Sequence, residues 1–267
     1  MINTLPRRQW PVHGVTVFFD QVFVVRLGTT ELEVYDSNTW KLSSRLRVDG
    51  LMFPWDLTSC CNFRCLYIAG WDGRGVIYRV KLDGAITRWK VNAKPYGRSI
   101  TPDPDFHVLV ACRDARKLKE FKTGGIPVRT ILLQEDLVHP WHAILFDGQF
   151  IVSHGLESDP LHRVCIVDST GHAMRCYGGQ RGSAAGQLNK PHHLAVDPEG
   201  NVIVADSSKR VLLLNNRLKY VEELISAHNS GRLELKPSRL CLNVSQGQLF
   251  VANDSQKDVL VFQVREG

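Results

Sequence analysis

The chain has no run approaching the roughly 18 apolar residues of a membrane span, and its opening MINTLPRRQWPVHG has no apolar leader core. A cytoplasmic protein without membrane association is expected. Catalytic signatures are scarce as well. There is no Gly-x-Ser-x-Gly elbow, and no cysteine–histidine pair carries a family signature, so nucleophilic catalysis has no candidate. The one glycine-rich stretch, GGQRGSAAG, lacks the Gly-Lys-Ser/Thr ending of a phosphate-binding loop and reads as a flexible connection. Seven cysteines form an odd set with no regular framework. Cys112, Cys165 and Cys241 sit in the apolar runs VLVAC, RVCIVD and RLCLNV, where a thiol packs as a small hydrophobe. All seven are expected to be reduced, and the cluster CCNFRC (Cys60, Cys61, Cys65) lacks the second ligand pair that a zinc site requires.

What is present is turn chemistry between short apolar runs. Hydrophobic residues make up 43% and charged residues 22%, a globular balance, with 21 Gly and 12 Pro to supply turns. In PHHLAVDPEGNVIVADSSKRVLLL, His-Leu-Ala-Val-Asp alternates as a strand does, Asp-Pro-Glu-Gly is a turn, and Asn-Val-Ile-Val-Ala-Asp is a second strand. Val211 to Leu214 and Tyr220 to Ile225 follow as a third and a fourth. The same order recurs along the chain: Pro54, Pro95, Pro140, Pro191 and Pro237 open units 41, 45, 51 and 46 residues apart, and Val12 takes the equivalent place in the first. A four-stranded repeat of about 40 to 50 residues is the length of one β-propeller blade. The expected fold is therefore all-β: a single domain over residues 1–267, a six-bladed β-propeller of four-stranded antiparallel blades at about 12–53, 54–94, 95–139, 140–190, 191–236 and 237–267 plus 1–11. The last unit runs out after three strands, so an N-terminal strand within residues 2–9 is expected to close the ring, its prolines suited to an edge.

Pro191 to Val211, PHHLAVDPEGNVIVADSSKRV, preceded by GGQRGSAAGQLNK, resembles the NHL repeat, a six-bladed propeller unit. Looser versions at Pro54, Pro95, Pro140 and Pro237 extend the resemblance over nearly the whole chain. NHL propellers often form the C-terminal recognition domain of tripartite-motif (TRIM-NHL) ubiquitin ligases, where they bind protein or RNA. The resemblance thus implies a non-catalytic platform with no cofactor, the substrate-recognition module of a ubiquitin-ligase system, with a protein partner and single-stranded RNA as a further ligand. No RING, B-box or coiled-coil pattern occurs in these residues, so ligase activity rests on analogy alone. The resemblance also carries an alternative: a zinc-dependent propeller lyase of the peptidyl-hydroxyglycine amidating type, which holds its metal with three histidines from different inner strands.

Inner strands of a propeller start at one rim of the central channel, which gathers the residues after each opening proline. First positions are His13, Trp55, Tyr96, Trp141, His192 and Ser238; second positions are Gly14, Asp56, Gly97, His142, His193 and Arg239. The NHL pattern prefers glycine at the second position, and this chain departs from it four times. Loops after the second strands emerge on the same face and bring Arg113, Arg116, Lys117, Lys209 and Arg210 towards Arg98 and Arg239. Aromatic groups framed by cations suit single-stranded nucleic acid, which the formal charge of +6 permits. A protein partner would instead need an apolar patch with few cations at its centre. The expected ligand-binding set is His13, Trp55, Tyr96, Arg98, Arg113, Arg116, Lys117, Trp141, His142, His192, His193, Lys209, Arg210 and Arg239. Of the first positions only His192 and His13 are histidine, so zinc is reached only if His142 or His193 leans inward. Asp72, Asp114, Asp206 and Asp254 recur just after the second strands and read as turn acceptors.

Overall fold

Strand-forming runs in this chain are of two kinds. Second strands such as Cys65–Gly70 and Val108–Cys112 are apolar and buried at every residue, while outer strands such as Leu42–Arg47 and Pro127–Leu132 are largely exposed. A sheet covered on both faces produces the first pattern and the periphery of a ring the second. In a computed structural model, which describes residues 1, 3–71, 75–93, 100–102 (backbone alone), 107–226 and 234–264, these runs form six four-stranded antiparallel sheets. Five sheets follow chain order. In the sixth, Asn3–Leu5 pairs with Asp258–Gln263, outside Gln248–Asn253 and Pro237–Asn243, so the N-terminal strand closes the ring.

Six apolar clusters hold the blades together, each drawn from two neighbours. Between blades 1 and 2, for example, Phe18, Leu32 and Val48 meet Leu66, Ile68 and Tyr78. The closing contact is also polar. Arg26, 2% exposed, donates Nε–H to Glu33 at 2.8 Å and its remaining N–H groups to carbonyl oxygens of Pro6, Trp10 and Lys257. One guanidinium therefore ties blade 1 to the closing segment and to blade 6.

At the channel rim the inner strands of blades 1, 4, 5 and 6 share one irregularity: the register slips between Val12 and Gly14, Pro140 and His142, Pro191 and His193, and Pro237 and Arg239. His13, Trp141, His192 and Ser238 are thus the extra residues of β-bulges, which re-aim side chains at the start of each strand.

Three expectations are overturned. Cys165 and Cys176 are not free thiols but a disulfide, because the register of the third and outer strands of blade 4 sets them directly opposite one another. The GGQRGSAAG stretch is tied down rather than flexible: Gly182 N–H donates to Leu188 O, and Arg210 donates to the carbonyl oxygens of Ser183 and Gln187 at 2.9 and 2.8 Å. Asn253, not Asp254, stands opposite Pro237 as Asp206 stands opposite Pro191. Both accept an N–H from the connection that leads into the inner strand of their own blade, Asp206 from Asn189 at 2.9 Å and Asn253 from Lys236 at 2.8 Å. Among the described residues no helix is long and apolar enough to cross a membrane.

Candidate functional site

The four second positions that replace glycine meet at the centre of the channel mouth. His142 and His193 stack with ring centroids 3.7 Å apart, and the Asp56 carboxylate lies 3.6 Å from His193 Nε2 and 3.7 Å from Arg239 Nε. Asp56 is 1% exposed and His142 2%. Blade 1 contributes no side chain to this layer because none fits: a Cβ on Gly14 would stand 2.6 Å from Leu57 Cβ. Arg239 reaches across that gap, donating to His13 O at 2.9 Å, Ser238 O at 2.8 Å and Trp55 O at 2.7 Å.

Electrostatics follow from this packing. Burial would raise the Asp56 carboxyl, but the facing His193 imidazole and the Arg239 charge hold it well below the usual carboxylate range. Burial pushes His142 well below the ordinary imidazole value, and it also lowers His193. Asp56 is thus an anion, Arg239 a cation, and the two imidazoles are neutral, so the layer carries no net charge.

Asp56, His142 and His193 each offer a ligand atom within 4.8 Å of the others, which poses the question of a metal. Leu194 N–H points at His142 Nδ1 (3.3 Å) and Leu240 N–H at His193 Nδ1 (3.4 Å). A backbone N–H only donates, so both Nδ1 atoms accept and each neutral ring carries its proton on Nε2. Zinc on Nε2 would move that proton to Nδ1, against the backbone N–H, whereas metal-bound histidines normally donate from the second nitrogen to an acceptor. The residues do not fit zinc.

Above this layer lie the bulge residues. His13 stacks on Trp55 at 4.9 Å and donates Nδ1–H to Pro54 O at 2.9 Å; Trp141 lies 4.5 Å from His192 and donates Nε1–H to Gly155 O at 2.9 Å. Burial pushes His13 down to about 4 and His192 to about 3. Arg113 covers the Trp141 ring at 4.9 Å and pairs with Asp114 at 3.3 Å. The other cations spread out. Arg116 caps a 3-10 turn in the left-handed conformation, Lys117 opens a strand opposite Leu132, and Arg210 is committed to carbonyls, which leaves Lys209 exposed in its turn. Tyr96 and Arg98, like Asp72, lie outside the described residues. Below the polar layer the channel continues as a cavity of about 550 Å³ walled by Val15, Leu57, Ile144, Leu194 and Leu240.

Sequence reasoning did not single out Asp56, which stands in the second-position ring, or a group of exposed apolar residues on the same rim. Trp10 is 43% exposed, Met52 52% and Phe53 44%. They sit on the connections that lead into the first two inner strands. The Trp10 ring lies over Gly28, Phe53 is 5.9 Å from Trp71, and Trp71 N–H donates to Met52 O at 2.9 Å. The signal in the sequence is the run LMFPW, apolar where a polar connection is expected.

Fold and site together define a six-bladed β-propeller with a self-paired polar layer across its mouth. Solved structures share this architecture. Hydrazine synthase of Kuenenia stuttgartiensis aligns over 99% of both chains at 16% identity with a TM-score of 0.68. A streptogramin B lyase aligns over 99% of this chain and 87% of its own at 11% identity (TM-score 0.67), and a protein of unknown function from Bacteroides caccae over 88% and 87% at 12% (TM-score 0.65). At such identities the likeness is one of fold. The chain matches no protein-family model and no curated protein.

Proposed function

We propose that this propeller is a non-catalytic recognition platform whose channel-mouth rim docks an apolar segment of a protein partner. The observation that carries the reading is the exposed trio Trp10, Met52 and Phe53 beside a mouth capped by paired aromatic rings. Large apolar side chains held at a rim mark interaction surfaces. Cations that would favour RNA are largely spent: Arg239 and Arg210 on carbonyls, Arg113 on Asp114. The enzyme neighbours lend fold and not chemistry, and the zinc-lyase alternative is opposed by the histidine tautomers. A ubiquitin-ligase setting rests on the NHL resemblance.

The test is panning of a random peptide library on phage against the purified chain, with anisotropy titration of a random single-stranded RNA pool at two salt concentrations alongside. The reading expects apolar-anchored peptides whose affinity drops about tenfold, roughly 1.4 kcal/mol, in Trp10→Ser/Phe53→Ser and holds in Lys209→Ala. Tight RNA binding that weakens steeply with salt, or peptides indifferent to the double substitution, would overturn it.

A further inference from the structure

Two pairs of cysteines stand directly opposite one another on neighbouring strands. Cys165 and Cys176 are bonded. Cys60 and Cys65 hold the same relation at the tip of the first hairpin of blade 2, yet remain thiols. Both are buried on the face turned towards blade 3, in a cluster with Tyr67, Val108 and Cys112. What distinguishes this pair is a cation. Arg79, opposite Tyr67 on the third strand, donates Nε–H to Cys65 Sγ at 3.4 Å, and the Phe63 ring covers its guanidinium at 5.5 Å.

A guanidinium on one thiol of a pair separates their roles, because the thiolate is the reactive form and a neighbouring cation stabilises it. The Cys60 thiol facing it and the Arg79 guanidinium hold the Cys65 thiol below its usual range, while Cys60 is pushed up and keeps its proton. Cys61, between them in sequence, is exposed.

We propose that Cys60 and Cys65 form a reversible redox site, with Cys65 the thiolate that small hydroperoxides oxidise and Cys60 the resolving thiol. The Cys65 thiolate attacks one peroxide oxygen, the O–O bond breaks, and hydroxide or alkoxide departs, leaving a sulfenic acid. Cys60 then gives up its proton and attacks the Cys65 sulfur, the S–O bond breaks, and hydroxide leaves with that proton as water. Two thiols lose two electrons to one peroxide. The cross-strand register already sets the two residues opposite each other, and a small uncharged oxidant suits sulfurs this buried, whereas bulky thiol reagents meet Cys61 first.

The experiment treats the full chain with hydrogen peroxide, alkylates all remaining thiols under denaturing conditions and maps the peptides by mass spectrometry. A Cys60–Cys65 linkage that dithiothreitol reverses is expected before Cys112 or Cys241 is modified. Arg79→Leu should slow its formation about tenfold, Arg79→Lys should restore most of the rate, and Cys61→Ser should leave it unchanged. In Cys60→Ser, a dimedone adduct should accumulate on Cys65. Cys60 and Cys65 recovered as free thiols after Cys61 is oxidised, an unchanged rate in a folded Arg79→Leu protein, or no adduct in Cys60→Ser would each overturn the proposal.

Discussion

His142, His192, His193, His13 and His154 are all neutral in the folded chain because burial disfavours their charged forms, with His13 and His154 pushed to about 4 and His192 to about 3. In the unfolded chain the same rings take up protons near pH 6.5. As pH falls through 6.5 the unfolded state therefore binds protons that the folded state refuses, and stability drops by about 1.4 kcal/mol per pH unit for each such ring until its folded pKa is reached. Thermal melts should accordingly show Tm highest above pH 7 and falling steeply between pH 6.5 and 4, with a shallower fall in His192→Gln. A flat profile over that range would contradict the neutral assignment. All of these but His154 were legible in the sequence as a ring at the channel mouth, since position after the opening proline is a matter of repeat phase. Their partners were not, because bulges decide which of two adjacent side chains faces the axis, and a bulge leaves no mark in a single sequence.

Strands read from alternation and turn chemistry appear where the repeat puts them, including Asn3–Leu5 as the outer strand of the last blade. What the pattern concealed is how that closure is held. Arg26 looked like an ordinary strand terminus, yet it spans three segments through Glu33 and the carbonyl oxygens of Pro6, Trp10 and Lys257. Replacing Arg26 with Met would strand the buried Glu33 carboxylate and free those carbonyls, at a cost of about 3–5 kcal/mol. Urea denaturation should register that loss, and hydrogen exchange should show it first along Asn3–Leu5. A change below about 1 kcal/mol would mean that the apolar cluster around Leu5 and Val259 closes the ring alone. The Cys165–Cys176 bond was hidden for a related reason: pairing needs a register, and the slip between Ile166 and Val167 lies between strands that spacing alone does not align.

At the scale of the whole molecule, the four departures from the glycine pattern build one object. Asp56, His142, His193 and Arg239 converge from four blades into a neutral layer that seals the mouth, and the surface that remains for recognition is the rim around it. Asp56 was visible in the repeat but carried no weight without its partners, and Trp10, Met52 and Phe53 lie just before the residues that open their units, outside the positions the repeat singles out. Whether that layer is structural is decided by the tautomers of its two histidines. Long-range proton–nitrogen NMR correlations of the imidazole rings, recorded with and without one equivalent of zinc, measure this directly. The account predicts Nε2–H rings at His142 and His193 that zinc leaves unchanged. Protons on Nδ1, or nitrogen shifts that move with stoichiometric zinc, would contradict it and make the channel mouth a metal centre.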